Sequence, residues 1–382
     1  MKICQYVPHG AIPDKRGFAP AIVAQYLYKS FDKQNLKHYF VSNQEDYEKS
    51  YENNDDFGEI FRIKESYLYK KLFQKITKID YNPLEKRLAK ILNANPVDIL
   101  HIHQVEFPVN KFKKFMNYEL KIGLHVHSIR SFDISRGEAD IYFAVSNYTK
   151  KRLVERGFPE NKIKVLYNGV DVDKFFYEED DVYNIKEKLD IPKSNIIVSY
   201  IGRRHESKGY NFSLKIFEYL LNKYKNITAI CIGPLPKDAK KDSTYEESEN
   251  IIEKLKNNPN FINLNALPHE KLIEFYKISD VFLFPSMSKA EQHPLVTVEA
   301  LASKNILITS NIASIPEYIK HMDNGIVLKN PRDLEEVLRY IEEYINEPRK
   351  FNYIKENAYQ TSKQFDWKNI AQQLIQYYKE IL

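Results

Sequence analysis

Twice along this chain, short apolar runs suited to β-strands alternate with segments whose apolar residues recur at helical spacing. In the first half the strand-like runs are residues 3–7, 38–42, 59–63, 98–103, 121–127, 141–145 and 163–167. Helical patterns fall between them, as at residues 19–31, 84–92 and 148–156. A second series begins at residues 196–201 and continues at 227–232, 261–264, 281–284, 306–309 and 325–328, with helices expected at 210–222, 270–279 and 295–303. Helical patterns close the chain over 333–344, 349–364 and 367–382. Strands alternating with helices in this way build βαβ units, and βαβ units build parallel sheets. The class is therefore α/β. Two series predict two domains, which also suits a chain of 382 residues.

The turn Asn168-Gly169-Val170-Asp171-Val172-Asp173 separates the two series, and a charged, weakly apolar stretch follows it. The expected organisation is an N-terminal Rossmann-like domain at 1–168, a linker at 169–193, a C-terminal Rossmann-like domain at 194–364, and a helix at 365–382 returning to the first domain. Ligands of such sheets bind where loops and helix N-termini meet at the carboxyl ends of strands. Composition excludes several alternatives. Cys4 and Cys231 are the two cysteines, and each lies in an apolar run, so neither a disulfide framework nor C-x-x-C chemistry is available. No stretch approaches the length of about 18 apolar residues that marks a membrane-spanning helix. No charged-then-apolar leader pattern opens the chain, and a cytoplasmic protein is expected. A net charge of +5 with no basic–aromatic module argues against a nucleic-acid partner.

In the second half, the strand at 196–201 runs into Gly202-Arg203-Arg204-His205-Glu206-Ser207-Lys208-Gly209. Gly202 permits a tight turn near a ligand. Arg203 can grip phosphate oxygens bidentately and Lys208 adds a point charge, a pair suited to a diphosphate. A charged, solvated loop would carry the same residues. Further on, Glu291 and Glu299 are separated by seven residues around Pro294. On one continuous helix they would lie about 12 Å apart along the axis, at a rise of about 1.5 Å per residue. That exceeds the roughly 9.5 Å limit for paired glycosidase carboxylates, so a hydrolytic pair is not expected. Proline favours the first helical position. Glu291 then falls in the loop before a helix and Glu299 in its second turn. The free N–H groups of Leu295 and Val296, with the helix dipole, can face an anion. Acids near a helix N-terminus also serve the dipole alone.

The first half offers three places. Gly17, between the first strand and the first helix, could admit a close ligand or simply turn the chain. His101 and His103 end a buried strand and are read as structural. His125 and His127 end the next strand and share one face, because strand side chains repeat every two residues. In addition, residues 64–90 hold eight Lys or Arg and three Asp or Glu, interleaved with Tyr67, Leu68, Tyr69, Leu72 and Phe73. That stretch is a candidate for peripheral contact with an anionic membrane surface on the inner face of the cell membrane. An ordinary helix packed through its apolar stripe would look the same.

Taken in order, these features resemble the retaining GT-B glycosyltransferases of glycosyltransferase family 4. The resemblance is carried by Ala144-Val145-Ser146-Asn147 with Tyr167-Asn168-Gly169-Val170-Asp171, by Gly202-Arg203 with Lys208-Gly209, and by Ile232-Gly233. It continues through Phe284-Pro285-Ser286, Glu291 with Glu299, Ser314-Ile315-Pro316-Glu317 and the Trp367 helix. It implies two Rossmann-like domains facing a central cleft. It also implies that Arg203 and Lys208 hold the donor diphosphate, Glu291 the donor sugar and Glu299 the ribose, with residues 264–271 bordering the base. His127, rather than His125, resembles the family histidine that reaches the donor sugar. Three departures stand out. Gln292-His293-Pro294 replaces the usual Gly-Phe-Gly, Lys304 and Ile306 stand where a glycine and a proline are usual, and Ala313-Ser314 replaces a glycine pair.

The expected activity is transfer of a hexosyl or N-acetylhexosaminyl group from a nucleoside-diphosphate sugar, with UDP the expected nucleotide. The expected acceptor is a hydroxyl of a saccharide or lipid-linked saccharide in polysaccharide or lipopolysaccharide biosynthesis. No cofactor and no metal are implied. Asp171-Val172-Asp173 spells D-x-D but lies in the interdomain turn and is read as structural. A nucleotide-sugar epimerase on the same fold, or a non-catalytic nucleotide-sugar-binding protein, are the competing readings.

Overall fold

The computed structural model describes residues 1–14, 17–32, 35–44, 49–64, 75, 83–103, 107–128, 138–236 and 239–382. The described chain divides into two compact units, Met1–Asn168 with Trp367–Leu382, and Gly169–Asp366.

The first unit is built on strands β1 (Lys2–Val7), β2 (Lys37–Asn43), β3 (Tyr51–Asn54), β4 (Gly58–Ile63), β5 (Ile99–Ile102), β6 (Lys121–Val126), β7 (Ile141–Ala144) and β8 (Ile163–Val165). Their order in the sheet is β3-β4-β2-β1-β5-β6-β7-β8. All neighbours are parallel except β3 and β4. Sequence reading misses β3, and the reason is visible in its residues. Tyr51-Glu52-Asn53-Asn54 has no apolar alternation and forms the exposed edge. Other contacts hold it: Glu52 pairs with Arg62 at 2.7 Å, and the Tyr51 ring packs on Phe61. Asn54 Oδ1 accepts the N–H groups of Asp56 and Phe57, which shapes the hairpin turn.

One face of this sheet carries Cys4, Tyr6, Leu100, Ile102, Ile122, Leu124 and Val126 into an apolar core with Leu88, Ala89 and Leu92 of helix Leu84–Ala94. The opposite face carries Gln5, His101, Gly123 and their neighbours. Gln5 pairs with His101 and His101 with Gly123 in register, so all three point the same way. Gly123 leaves room there, since a Cβ would lie 2.7 Å from the Phe143 ring. Helix Ala19–Lys29 and the terminal helix Trp367–Ile381 lie in the same unit and meet through stacked Tyr26 and Trp367 rings.

The second unit has an all-parallel sheet of β9 (Ile196–Ile201), β10 (Ile227–Ile232), β11 (Phe261–Leu264), β12 (Val281–Phe284), β13 (Ile306–Ser310) and β14 (Ile326–Leu328). The order is β11-β10-β9-β12-β13-β14. Its core includes Leu214, Phe217 and Leu220 of helix Tyr210–Lys223, and Val337 and Ile341 of helix Leu334–Asn346. Residues 169–193, read as a linker, instead fold into this unit as helices Val172–Phe175 and Glu179–Lys188. Their apolar residues are too few to announce a helix, and Asp171 caps the first one by accepting from the Lys174 N–H at 3.3 Å.

In each sheet the strand order reverses beside the first strand of the series. β1 lies between β2 and β5, and β9 between β10 and β12. Such reversals open a crevice at the carboxyl ends of the strands. Both cysteines are free and buried. Among the described residues no helix is long and apolar enough to cross a membrane. The basic stretch 64–90 lies largely outside the described residues. Its last part forms helix Leu84–Ala94, which packs as an ordinary amphipathic helix.

Candidate active site

In the second unit glycines draw the loop after β9 against the carboxyl ends of β10 and β12. At Gly233, after β10, φ is +155°, and a Cβ would sit 1.8 Å from the Gly202 carbonyl oxygen. The Gly202 N–H in turn donates to the Ile232 carbonyl at 2.9 Å. At Gly209 φ is +77°, and a Cβ would lie 2.5 Å from the Pro285 carbonyl oxygen. Only glycine fits either position. Gly202, expected to supply the tight turn, is not in the left-handed region. The close approaches belong to Gly233 and Gly209.

Arg203 and Arg204, adjacent in sequence, have opposite fates. Arg204 is buried, bonds the Asn263 side chain and the Leu264 carbonyl at 2.7 Å each, and lies over the Tyr210 ring. It ties the β9 loop to the end of β11. Arg203 is exposed, and among the described residues nothing engages its guanidinium.

Lys208 precedes Gly209, and its Nζ reaches Glu291 Oε1 at 2.5 Å, with both side chains largely withdrawn from solvent. Ser286 Oγ donates to the same Glu291 oxygen at 2.5 Å. The Glu291 main chain is held as firmly. Its carbonyl accepts from Ser314 N–H at 3.3 Å and Ser314 Oγ at 3.2 Å. Sequence reading quotes Ser286 and Ser314 only within motifs; their bonds to Glu291 are tertiary and leave no local signal.

Pro294 caps helix Leu295–Ala302 without a side-chain bond to the first turn. Among the described residues the Leu295 and Val296 N–H groups have no acceptor. Glu299, in the second turn, is buried and accepts from His269 Nε2 at 2.6 Å. His269 opens helix His269–Ile278, inside the segment expected to border the base. Burial and the nearby Glu299 carboxylate raise the Tyr276 phenol well above its ordinary range. The structure thus joins Lys208 to Glu291 and keeps Glu299 on a separate partner.

The three departures from the family pattern have physical counterparts. His293 is buried against the Tyr318 and Phe365 rings, where burial lowers it to about 3, so it packs as a neutral ring. Lys304 and Ala313 have φ of +52° and +48°, a left-handed backbone that glycine adopts without strain.

In the first unit, Gly17 lies just before helix Ala19–Lys29 and the expected histidines fall at strand ends. Gly17 has φ of +71°, with open space where a Cβ would stand, and its N–H donates to Asp14 Oδ2 at 2.8 Å. Lys15 and Arg16 beside it lie outside the described residues. The four strand-end histidines form one cluster. Tyr378 Oη lies 2.5 Å from His101 Nδ1, and His101 Nε2 lies 3.1 Å from His125 Nδ1. Gln5 Oε1 lies 2.6 Å from His103 Nε2, and His103 Nδ1 lies 3.1 Å from His127 Nε2. Burial holds His101 and His127 at about 3, and His103 and His125 well below the ordinary histidine range. All four are therefore neutral imidazoles at neutral pH. His101, His103 and His125 are fully enclosed, whereas His127 keeps partial exposure.

The nitrogens of His101, His103 and His125 lie within 4.8 Å of one another and are the described group able to hold a metal ion. An ion would have to displace existing bonds, because among these three rings only His125 Nε2 lacks a partner.

Residues 181–361 match the family described as glycosyl transferases group 1, and residues 21–174 match glycosyltransferase family 4. A lipopolysaccharide 1,2-N-acetylglucosaminetransferase of Salmonella typhimurium is 22% identical over 322 residues, covering 83% of each chain. Sucrose-phosphate synthase of Thermosynechococcus elongatus superposes with a TM-score of 0.80 at 16% identity, covering 100% of this chain and 99% of its own. Anabaena HepE, solved with UDP and glucose, gives a TM-score of 0.78 at 17% identity over 100% of both chains. With its two parallel-dominated sheets and matches to family 4 and group 1 spanning both halves, this chain is a GT-B-fold glycosyltransferase of the family 4, group 1 class.

Proposed function

We propose that the protein transfers a hexosyl or N-acetylhexosaminyl group from a UDP-sugar to a hydroxyl of a saccharide or lipid-linked saccharide, with retention of anomeric configuration. The observation that carries this reading is the Lys208–Glu291 pair beside a helix whose first amides have no acceptor among the described residues. Positive groups and open N–H donors collect at the carboxyl end of the second sheet, next to an acid fixed at both its side chain and its main chain. The exposed Arg203 adds a cation with no competing partner among the described residues. The similarity to a lipopolysaccharide N-acetylglucosaminetransferase and to HepE, solved with UDP and glucose, supports a saccharide acceptor and a UDP donor.

In this proposal Arg203, Lys208 and the Leu295 and Val296 amides stabilise charge that gathers on the departing diphosphate. The leaving phosphate oxygen accepts the proton of the attacking hydroxyl as the new glycosidic bond forms on the same face of the anomeric carbon. No separate base is then needed. Glu291 accepts from sugar hydroxyls, and His127 is a hydrogen-bond partner of the substrate. Glu299 faces the ribose, held in place by His269. Because protein cations meet the diphosphate charge, the reaction proceeds without a metal and persists in EDTA. Peripheral attachment to anionic lipid through residues 64–90 belongs to the same proposal.

The test is a screen of UDP-, GDP- and ADP-sugars for thermal stabilisation, followed by transfer to a lipid-linked saccharide with the best donor. A UDP-sugar should stabilise the protein and be consumed only when acceptor is present. Conversion of donor alone to another sugar would point to an epimerase, and binding without turnover to a non-catalytic protein.

A further inference from the structure

The hydrogen bonds around Gln5 determine which nitrogen of His127 carries its proton. The Ala24 carbonyl can only accept, so the Gln5 atom 3.2 Å from it is the donating Nε2. That nitrogen also lies 3.0 Å from His38 Nε2. The other amide atom, Oε1, therefore faces His103 Nε2 at 2.6 Å and can only accept. His103 Nε2 must carry the hydrogen. A neutral imidazole has one N–H, so His103 Nδ1 is a lone pair. It lies 3.1 Å from His127 Nε2, which must in turn donate. The remaining nitrogen of His127, Nδ1, is left without a proton.

We propose that Gln5 and His103 are positioning residues that lock His127 as its Nε2–H tautomer, making His127 Nδ1 an obligate hydrogen-bond acceptor for a substrate hydroxyl. The neutrality this chain requires agrees with the depressed proton affinity of both rings. The parallel chain in the same cluster has no such direction. Tyr378 Oη can donate to or accept from His101 Nδ1, so it does not determine how His101 and His125 are protonated. A carboxamide at Gln5, pinned by a backbone carbonyl, reads out one tautomer where a hydroxyl would leave two. The role of His127 toward substrate rests on the proposed function. Its tautomer does not.

The test is nitrogen-15 NMR of the histidine side chains in the full-length protein at neutral pH, with His127→Gln used to assign the His127 signals. Wild type should show a protonated Nε2 and an unprotonated Nδ1 at His127. A protonated Nδ1 there would overturn the proposal, whatever the enzyme does. Gln5→Met should release the tautomer into a mixture, whereas Tyr378→Phe, at an equally buried place in the cluster, should leave the His127 signals unchanged. Unaltered His127 signals in Gln5→Met would remove Gln5 from the role. With a working donor and acceptor, Gln5→Met should lower kcat about tenfold, the size of one lost hydrogen bond of about 1.4 kcal/mol in the transition state, while UDP affinity stays the same. Full kcat alongside a mixed tautomer would overturn the functional half. A wild-type protein that transfers no sugar would refute the proposed function and leave the NMR result to decide the tautomer.

Discussion

The two units place polar groups at the same topological position and treat them in opposite ways. In the first unit, the crevice beside β1 gathers four histidines, and burial keeps them neutral. In the second, the loops after β9 and β12 gather a lysine on a glutamate, and the β9 loop also carries the exposed Arg203. Neutral rings cost little to enclose but must pass hydrogen bonds among themselves. A buried charge needs an opposite charge or a ligand. One parallel-sheet plan thus carries a cluster of neutral, hydrogen-bonded rings in one unit and a lysine–glutamate pair in the other.

The largest test of this contrast is Glu291→Gln. Lys208 then keeps its charge without its partner. The change should lower kcat/KM about 10³-fold, in line with removal of one preorganised catalytic group. It should also reduce thermal stability, and kinetics paired with a melting curve would measure both. Activity within a few-fold of wild type would remove Glu291 from the chemistry.

Acid should separate the units next. A histidine whose folded affinity for protons is depressed favours folding at pH above its unfolded value, ordinarily about 6.5. That contribution is lost as pH falls from there toward about 3, where His101 and His127 titrate in the folded protein. Each such ring costs up to about 1.4 kcal/mol per pH unit. Among the described residues, His101, His103, His125 and His127 in the first unit and His293 in the second are lowered in this way by burial. Hydrogen exchange compared at pH 7 and pH 5, corrected for intrinsic rates, should show the first unit losing more protection. Equal loss would break the contrast.

The smallest effect concerns the backbone beside Glu291. Ala313 sits in a left-handed conformation that costs an L-residue about 1–2 kcal/mol. Ala313→Gly should relieve that strain and give back up to about 1 kcal/mol as unfolded-chain entropy. A net gain of about 0.5 kcal/mol by chemical denaturation is expected.

Much of this was legible in sequence, and what was not has a physical reason. The parallel strands announced themselves because buried strands read as apolar runs. The edge strand β3 did not, since Tyr51-Glu52-Asn53-Asn54 is held by partners on β4. Lys208, Glu291 and the Pro294 helix start were readable from local spacing. Gln5 was not, because its meaning depends on β1, β5 and β6 lying side by side and on the Ala24 carbonyl orienting its amide. The missing family glycines could be seen in sequence at Lys304 and Ala313. That the backbone keeps the glycine conformation there could not.

Calorimetric titration of UDP into wild type and Arg203→Ala measures directly whether cations at the mouth of the second sheet hold a nucleoside diphosphate, as proposed. Arg203 is exposed and has no side-chain partner among the described residues, so the substitution should leave the melting temperature unchanged while weakening UDP binding about tenfold, a loss of about 1.4 kcal/mol. Equal affinity in the two proteins, at equal stability, would contradict it.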